Sequence, residues 1–227
     1  MSIGPCEWLH RELEALPLIR FPFDPKTLPE NGIYFFYERG EVWGHGGKRP
    51  GIVRVGTHND GNFRSRISEH FLFNERKMDF DAKGSPPHDR SIFRKHIGRA
   101  LLDRDGDSYL ELWNKDFMIN ENIRKFGHKR DIAKEKKIER AVTEIIRNNF
   151  TFRFIKVSVQ GTRKDLEKRL IGTLAQCGVC HASPRWLGLD SPKRQIRESG
   201  LWLVQHLRAP AITTEDRTDL KRCIRQT

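Results

Sequence analysis

Hydrophobic positions along this chain switch between two periods, and each switch marks an element. Gly32-Ile33-Tyr34-Phe35-Phe36-Tyr37 is a run of β-branched and aromatic residues bounded by Asn31-Gly32 and Glu38-Arg39-Gly40, which predicts a strand. Gly51 to Gly56 predicts the next. Gly40, Gly44, Gly46, Gly47 and Pro50 between them imply an antiparallel hairpin with a long loop. From Asn62 the period becomes 3.6: Phe63, Ile67 and Phe71 fall four apart on a helix running to about Leu72, with Asp60 or Asn62 as its cap. Residues 74–90 read as a loop. Ile92, Phe93, Ile97, Leu101 and Leu102 then suit a helix ending near Asp103. Ile138, Val142, Ile145 and Ile146 line one face of a helix over 132–148. Phe150 to Val159 leaves little polar surface on either side, so it is expected to be a central strand. Thr162 is expected to cap a helix whose buried stripe is Leu166, Leu170, Ile171 and Leu174, fraying near Gly178. Leu9, Leu13 and Leu16 mark one short helix at the start, a helix begins at Ser191-Pro192 and ends at Gly200, and Leu220 and Ile224 mark a last one.

This order predicts an α/β fold: a small, mostly antiparallel sheet of three or more strands flanked by helices. Residues 1–30, punctuated by Pro17, Pro22, Pro25 and Pro29, form an N-terminal arm, and residues 31–178 form the main domain. Within it, 73–149 is a helical insertion, and 179–227 is a helical C-terminal extension packed on the same domain.

Composition sharpens the picture. Lysine and arginine number 42 against 30 acidic residues, a formal charge of +12, which favours a polyanionic partner. Hydrophobic residues at 37% and aromatics at 10% exclude a disordered basic tail. No stretch reaches the roughly 20 apolar residues that span a bilayer, and Met1 to Glu14 lacks a charged-then-apolar leader pattern, so a cytoplasmic protein is expected. The cysteines, Cys6, Cys177, Cys180 and Cys223, are too sparse for a disulfide framework. Cys177-Gly178-Val179-Cys180-His181 has the spacing of a haem attachment motif, but that chemistry goes with export. A zinc site needs two more ligands, and Cys6 and Cys223 stand alone near the termini, so the expectation is of small buried or half-exposed thiols at a helix end.

Several residues bring chemistry. Arg66 and His70 lie four apart on one helix face, a cation beside a titratable imidazole, which suits an anionic substrate. Glu167 follows Leu166 at the edge of an apolar stripe, where a carboxylate can hold a metal. Alternation puts Tyr34 and Phe36 on one sheet face and Ile33, Phe35 and Tyr37 on the other, and a buried Tyr34 hydroxyl needs a partner.

The ordered set of strand, strand, Arg-x-x-x-His helix, strand and glutamate helix resembles the GIY-YIG nuclease family. The first motif stands as Gly32-Ile33-Tyr34. The second is Arg54-Val55-Gly56, with Arg54 where the family usually has tyrosine. Arg66 and His70 match the family's arginine and the histidine or tyrosine four residues on, and Glu167 matches its metal-binding glutamate. The asparagine often found downstream has no counterpart after Glu167, and Thr57-His58 stands where some members have lysine. The resemblance implies a divalent-metal-dependent endonuclease with Mg²⁺ or Mn²⁺ on Glu167 and charge stabilisation by Arg66. Tyr34 and His70 share proton handling, and Arg54 and His58 substitute for the missing groups. The implied partner is a nucleic acid, foremost double-stranded or branched DNA, met by a homodimer if both strands of a symmetric site are cut. The rival expectation is a nucleic-acid-binding module that keeps the scaffold without cleavage. Arg90, Arg94, Lys95, Arg99, Arg124, Lys125, Lys129 and Arg130 of the insertion are expected to follow the phosphate backbone.

Overall fold

The computed structural model describes residues 3–227, so the first two residues of the arm lie outside it. The chain runs α1 (Pro5–Leu13), β1 (Ile19–Arg20), β2 (Gly32–Val42), β3 (Pro50–Gly56), α2 (Phe63–Phe71), α3 (Pro87–Arg90), α4 (Ile92–Arg104), α5 (Leu110–Trp113), α6 (Asn120–Phe126) and α7 (Ile132–Asn149). It continues through β4 (Phe150–Lys156), α8 (Gln160–Ala175), α9 (Arg194–Ser199) and α10 (Thr214–Arg225). The strands form one antiparallel sheet in the order β1-β4-β2-β3, which puts β2 and β4 inside it. Their residues are apolar on both faces because both faces are covered.

Alternation along β2 divides the core. Ile33, Phe35 and Tyr37 meet α1, α8, α10 and the chain around Leu201–Ile212 on one face. Tyr34 and Phe36 meet α2, α4 and α7 on the other. Phe36, Phe63, Phe71, Phe93 and Phe152 are fully buried there. At about 2 kcal/mol for each buried phenylalanine, this cluster makes the second face a rigid platform.

The helix expected from Thr162 starts earlier, at Gln160, and the strand expected to reach Val159 stops at Lys156. One side chain causes both shifts. The buried Arg163 guanidinium donates to the carbonyls of Val157 (2.9 Å) and Ser158 (2.5 Å), turning the chain at the end of β4 into the first turn of α8. Residues 74–90 are less irregular than expected, holding a 3-10 turn at Glu75–Met78 as well as α3. α9 ends as expected at Gly200, which takes a left-handed conformation (φ 67°).

Candidate active site

The register of β2 against β3 builds the centre of the site. Tyr34 pairs with Gly56 and Phe36 with Arg54, so all four share one face of the sheet. The Tyr34 ring lies directly over Gly56: a Cβ there would stand 2.2 Å from the hydroxyl oxygen and 2.3 Å from Cζ. Only glycine admits the phenol at this position.

Tyr34 Oη lies 3.0 Å from Nε2 of His70 on α2, and His70 Nδ1 lies 2.8 Å from Oγ of Ser91. Ser91 is the N-cap of α4 and also accepts the Arg94 backbone N–H at 3.3 Å. All three side chains are buried. Burial raises the Tyr34 hydroxyl above its ordinary pKa, against the pull of the Arg54 and Arg66 cations. Burial also lowers His70 well below the ordinary imidazole value, and Arg54, Arg66 and Arg94 press it further down. The resting pair is therefore a neutral phenol and a neutral imidazole, joined in a line that ends on a helix cap.

Arg54 owes its aim to a β-bulge. The pairing skips from Phe36↔Arg54 to Tyr37↔Ile52, leaving Val53 extra. The Val53 carbonyl accepts the Trp202 backbone N–H at 2.8 Å, and Arg54 Nη1 donates to the Trp202 carbonyl at 2.5 Å. The guanidinium lies 5.1 Å from the Phe93 ring centre, and Arg54 Nε is buried without a partner. Its charge bears on Tyr34, His70 and Glu167 together.

Arg66, His58 and Glu167 complete the arrangement. A cleft of about 190 Å³ is lined by His58, Asn59, Asn62, Ser65, Arg66 and Glu69. Arg66 reaches its rim, donating to the Arg90 carbonyl at 2.8 Å and meeting Glu69 at 3.4 Å, with about a third of the side chain exposed. His58 Nε2 accepts the Gly32 N–H at 3.1 Å and its Nδ1 faces the Asn59 carbonyl, so both ring nitrogens are engaged by backbone. Glu167 does not pair with Arg163 on its own helix, because Arg163 turns to Asp60. Half-buried Glu167 instead accepts the Thr57 N–H through Oε1 at 3.1 Å, just past the end of β3, and among the described residues Oε2 has no hydrogen-bond partner. Burial raises its pKa above the ordinary carboxylate value, opposed by the Thr57 N–H and by Arg54.

The chain matches the family model described as a GIY-YIG domain over residues 20–227. It belongs to the GIY-YIG domain family. No curated protein and no solved structure matches it. Family membership makes this a nuclease-type domain whose substrate class is nucleic acid. The GIY-YIG match reaches the C-terminus, and Trp202 shows a physical role for that extension, since it holds the bulge that aims Arg54.

The basic path expected from the insertion is overturned for four of its eight residues. Arg94, Lys95, Arg99 and Arg130 are buried. Arg94 is clasped by Glu139 (2.5 Å) and Thr143 (2.7 Å), Lys95 by Asp89 (2.8 Å) and Arg130 by Glu135 (2.6 Å). They bind the helices of the insertion to one another. Glu139, on α7, is one of these internal partners. Arg124, Lys125 and Lys129 are exposed elsewhere on the insertion, whereas Arg90 joins Arg76, Lys77 and Lys136 in lining a groove of about 1040 Å³, with Asp79 and Asp81 opposing them. This groove adjoins the cleft: Lys77 meets Glu69 at 3.8 Å, and the Arg90 carbonyl holds Arg66. Ser91, Thr57 and Trp202 had no signal in the sequence as site residues, although Ser91 is recognisable as a helix cap.

Proposed function

We propose that this protein is a divalent-metal-dependent endonuclease that hydrolyses phosphodiester bonds in DNA, of the restriction or repair type. The observation that carries the reading is the convergence of the Tyr34–His70 pair, Arg54, Arg66 and Glu167 around the Gly56–Thr57 end of β3. Glu167 suits a hard cation, since Mg²⁺ and Mn²⁺ take oxygen ligands and are commonly held by one or two carboxylates together with substrate phosphate. Its Thr57 hydrogen bond fixes one oxygen and leaves the other free for such an ion. Bound there, the ion supplies charge neutralisation at the phosphate and at the leaving oxygen.

The protein's own groups do the rest. Arg66, at the rim of the cleft, binds a non-bridging oxygen and stabilises the charge that grows on it. The Tyr34 oxygen takes a proton from the attacking water while its phenolic proton passes to His70 Nε2, and the Nδ1–H donated to Ser91 Oγ holds the imidazole in the accepting tautomer. A phosphodiester anion beside Arg66 offsets the cations that depress His70, so the relay gains basicity when substrate is in place. His58 holds the start of β2 through Gly32 and shapes the cleft wall. The groove beside Arg66 follows the phosphate backbone, and cutting both strands of a symmetric duplex site takes two copies of the chain about a two-fold axis.

Single-turnover cleavage by Tyr34→Phe and Arg66→Ala, with binding followed separately by fluorescence anisotropy, tests the assignment. Each variant is expected to lose about 10²- to 10³-fold in rate while duplex binding persists. Salt-sensitive binding by the wild type without cutting in any metal would instead assign the fold to a non-cleaving nucleic-acid-binding module.

A further inference from the structure

Far from the Tyr34 site, on the α1 and α8 side of the sheet, three separate segments bring four soft ligands together. Cys6 comes from the first turn of α1, His45 from the β2–β3 loop, and Cys177 and Cys180 from the turn after α8. One ligand atom from each lies within 4.8 Å of all the others. The Cys6 and Cys180 sulfurs are 3.8 Å apart, and Cys177 Sγ is 3.3 Å from His45 Nε2. A tetrahedral zinc with Zn–S near 2.3 Å and Zn–N near 2.0–2.1 Å has sulfur–sulfur edges of about 3.8 Å and sulfur–nitrogen edges of about 3.6 Å. The observed edges are close to both.

The surroundings are built for the same purpose. The Gly44 N–H donates to Cys180 Sγ at 3.3 Å, which favours a thiolate there. Gly44 is required: a Cβ would stand 1.6 Å from the Val179 carbonyl oxygen, so the His45 loop reaches the cysteine turn only through a residue with no side chain. His45 Nδ1 faces the Glu7 carboxylate at 4.0 Å, on the side away from the thiols. His10, also near Cys6, is taken: its Nδ1 meets the Cys6 carbonyl at 3.0 Å and its Nε2 accepts the Ile52 N–H at 3.2 Å. The expectation that Cys6 stands alone is thereby corrected, because folding α1 back against the end of α8 supplies one missing ligand and the hairpin loop supplies the other.

We propose that Cys6, His45, Cys177 and Cys180 form a structural zinc site of the Cys₃His type. Thiolate and imidazole donors in a tetrahedral set select zinc over Mg²⁺ or Mn²⁺. The site has no open position, so it is distinct in chemistry from Glu167. It joins the N-terminal arm, the long hairpin loop and the α8 turn, closing two long chain loops at once. The inference is independent of the nuclease reading.

The test is metal analysis of the full-length protein purified in reducing, chelator-free buffer, followed by cobalt replacement. One zinc per chain is expected, and cobalt should give tetrahedral d–d bands with sulfur-to-cobalt charge transfer. His45→Ala and Cys177→Ala should lose the metal, His45→Cys should retain it with a four-thiolate spectrum, and Glu167→Ala should retain the full zinc content. Where Cys177→Ala does not fold, the wild-type cobalt spectrum decides. A wild-type chain that takes up neither zinc nor cobalt, cobalt bound without sulfur charge transfer, or a Cys6–Cys180 disulfide in place of metal would overturn the proposal.

Discussion

Replacing Gly56 by alanine would place a methyl carbon 2.2 Å from the Tyr34 oxygen and 2.7 Å from Cε2, where ordinary contact starts near 3.4 Å. The phenol has to retreat by about 1 Å. It has little room: Phe36, His70 and Phe63 pack around it with ring centres at 5.1, 5.5 and 6.1 Å. Overpacking of this kind costs about 1–3 kcal/mol, which for a chain of this size lowers Tm by roughly 2–10 °C. The same retreat breaks the 3.0 Å contact to His70, and a misplacement of that size in a proton relay costs about 10²-fold in rate. Thermal unfolding and single-turnover cleavage measure the two effects side by side. Because the clash is with one ring, the stability cost should fall below about 1 kcal/mol when Gly56→Ala is made in a Tyr34→Ala background. A Gly56→Ala protein with wild-type Tm and wild-type cleavage would refute the packing of Tyr34 over β3.

Other outcomes follow from buried charge. Glu38 is buried with its Oε2 accepting both the Trp186 (2.8 Å) and Trp202 (2.9 Å) indole N–H groups, and burial pushes its carboxyl up to about 7 from 4.5. Because its folded pKa is raised, its contribution is full below pH 4.5 and is lost as pH rises to 7. The stability of Glu38→Gln relative to wild type should therefore climb by about 3 kcal/mol between pH 4.5 and 8 in urea unfolding, and a flat difference would contradict the burial. Glu139 is the opposite case: burial opposes its charge, but Arg94 and His88 outweigh it and hold the carboxyl near 2. Glu139→Ala leaves the buried Arg94 unpaired and should cost about 3–5 kcal/mol, a fall in Tm on the order of 10 °C. Arg76 and Arg90 line the groove and make no ion pair among the described residues, so Arg76→Ala/Arg90→Ala should reduce the slope of log binding against log salt by about 2, read by anisotropy titration over a salt series.

The elements carrying the site were legible wherever a period ran unbroken. The Gly32–Tyr37 run, the Phe63–Ile67–Phe71 spacing and the Leu166–Leu174 stripe all fold as their patterns imply, and alternation correctly put Tyr34 and Phe36 on one face. What stayed hidden depends on partners distant in sequence. Arg94 reads as a surface charge because its partner, Glu139, lies 45 residues further along the chain. Trp202 reads as an ordinary core residue until the Val53 bulge needs a donor. Cys6 lies 171 residues before Cys177, so their meeting is a property of the assembled layers rather than of either segment.

The most direct test of the central claim is cleavage of plasmid and branched DNA with Mg²⁺, with Mn²⁺ and with chelator, comparing the wild type with Glu167→Ala while DNA binding is followed in parallel. Cutting that requires added metal, and that Glu167→Ala loses without losing binding, is the expected result. Cutting that survives chelator, or that proceeds at the wild-type rate in Glu167→Ala, would contradict the assignment of the metal-holding role to Glu167.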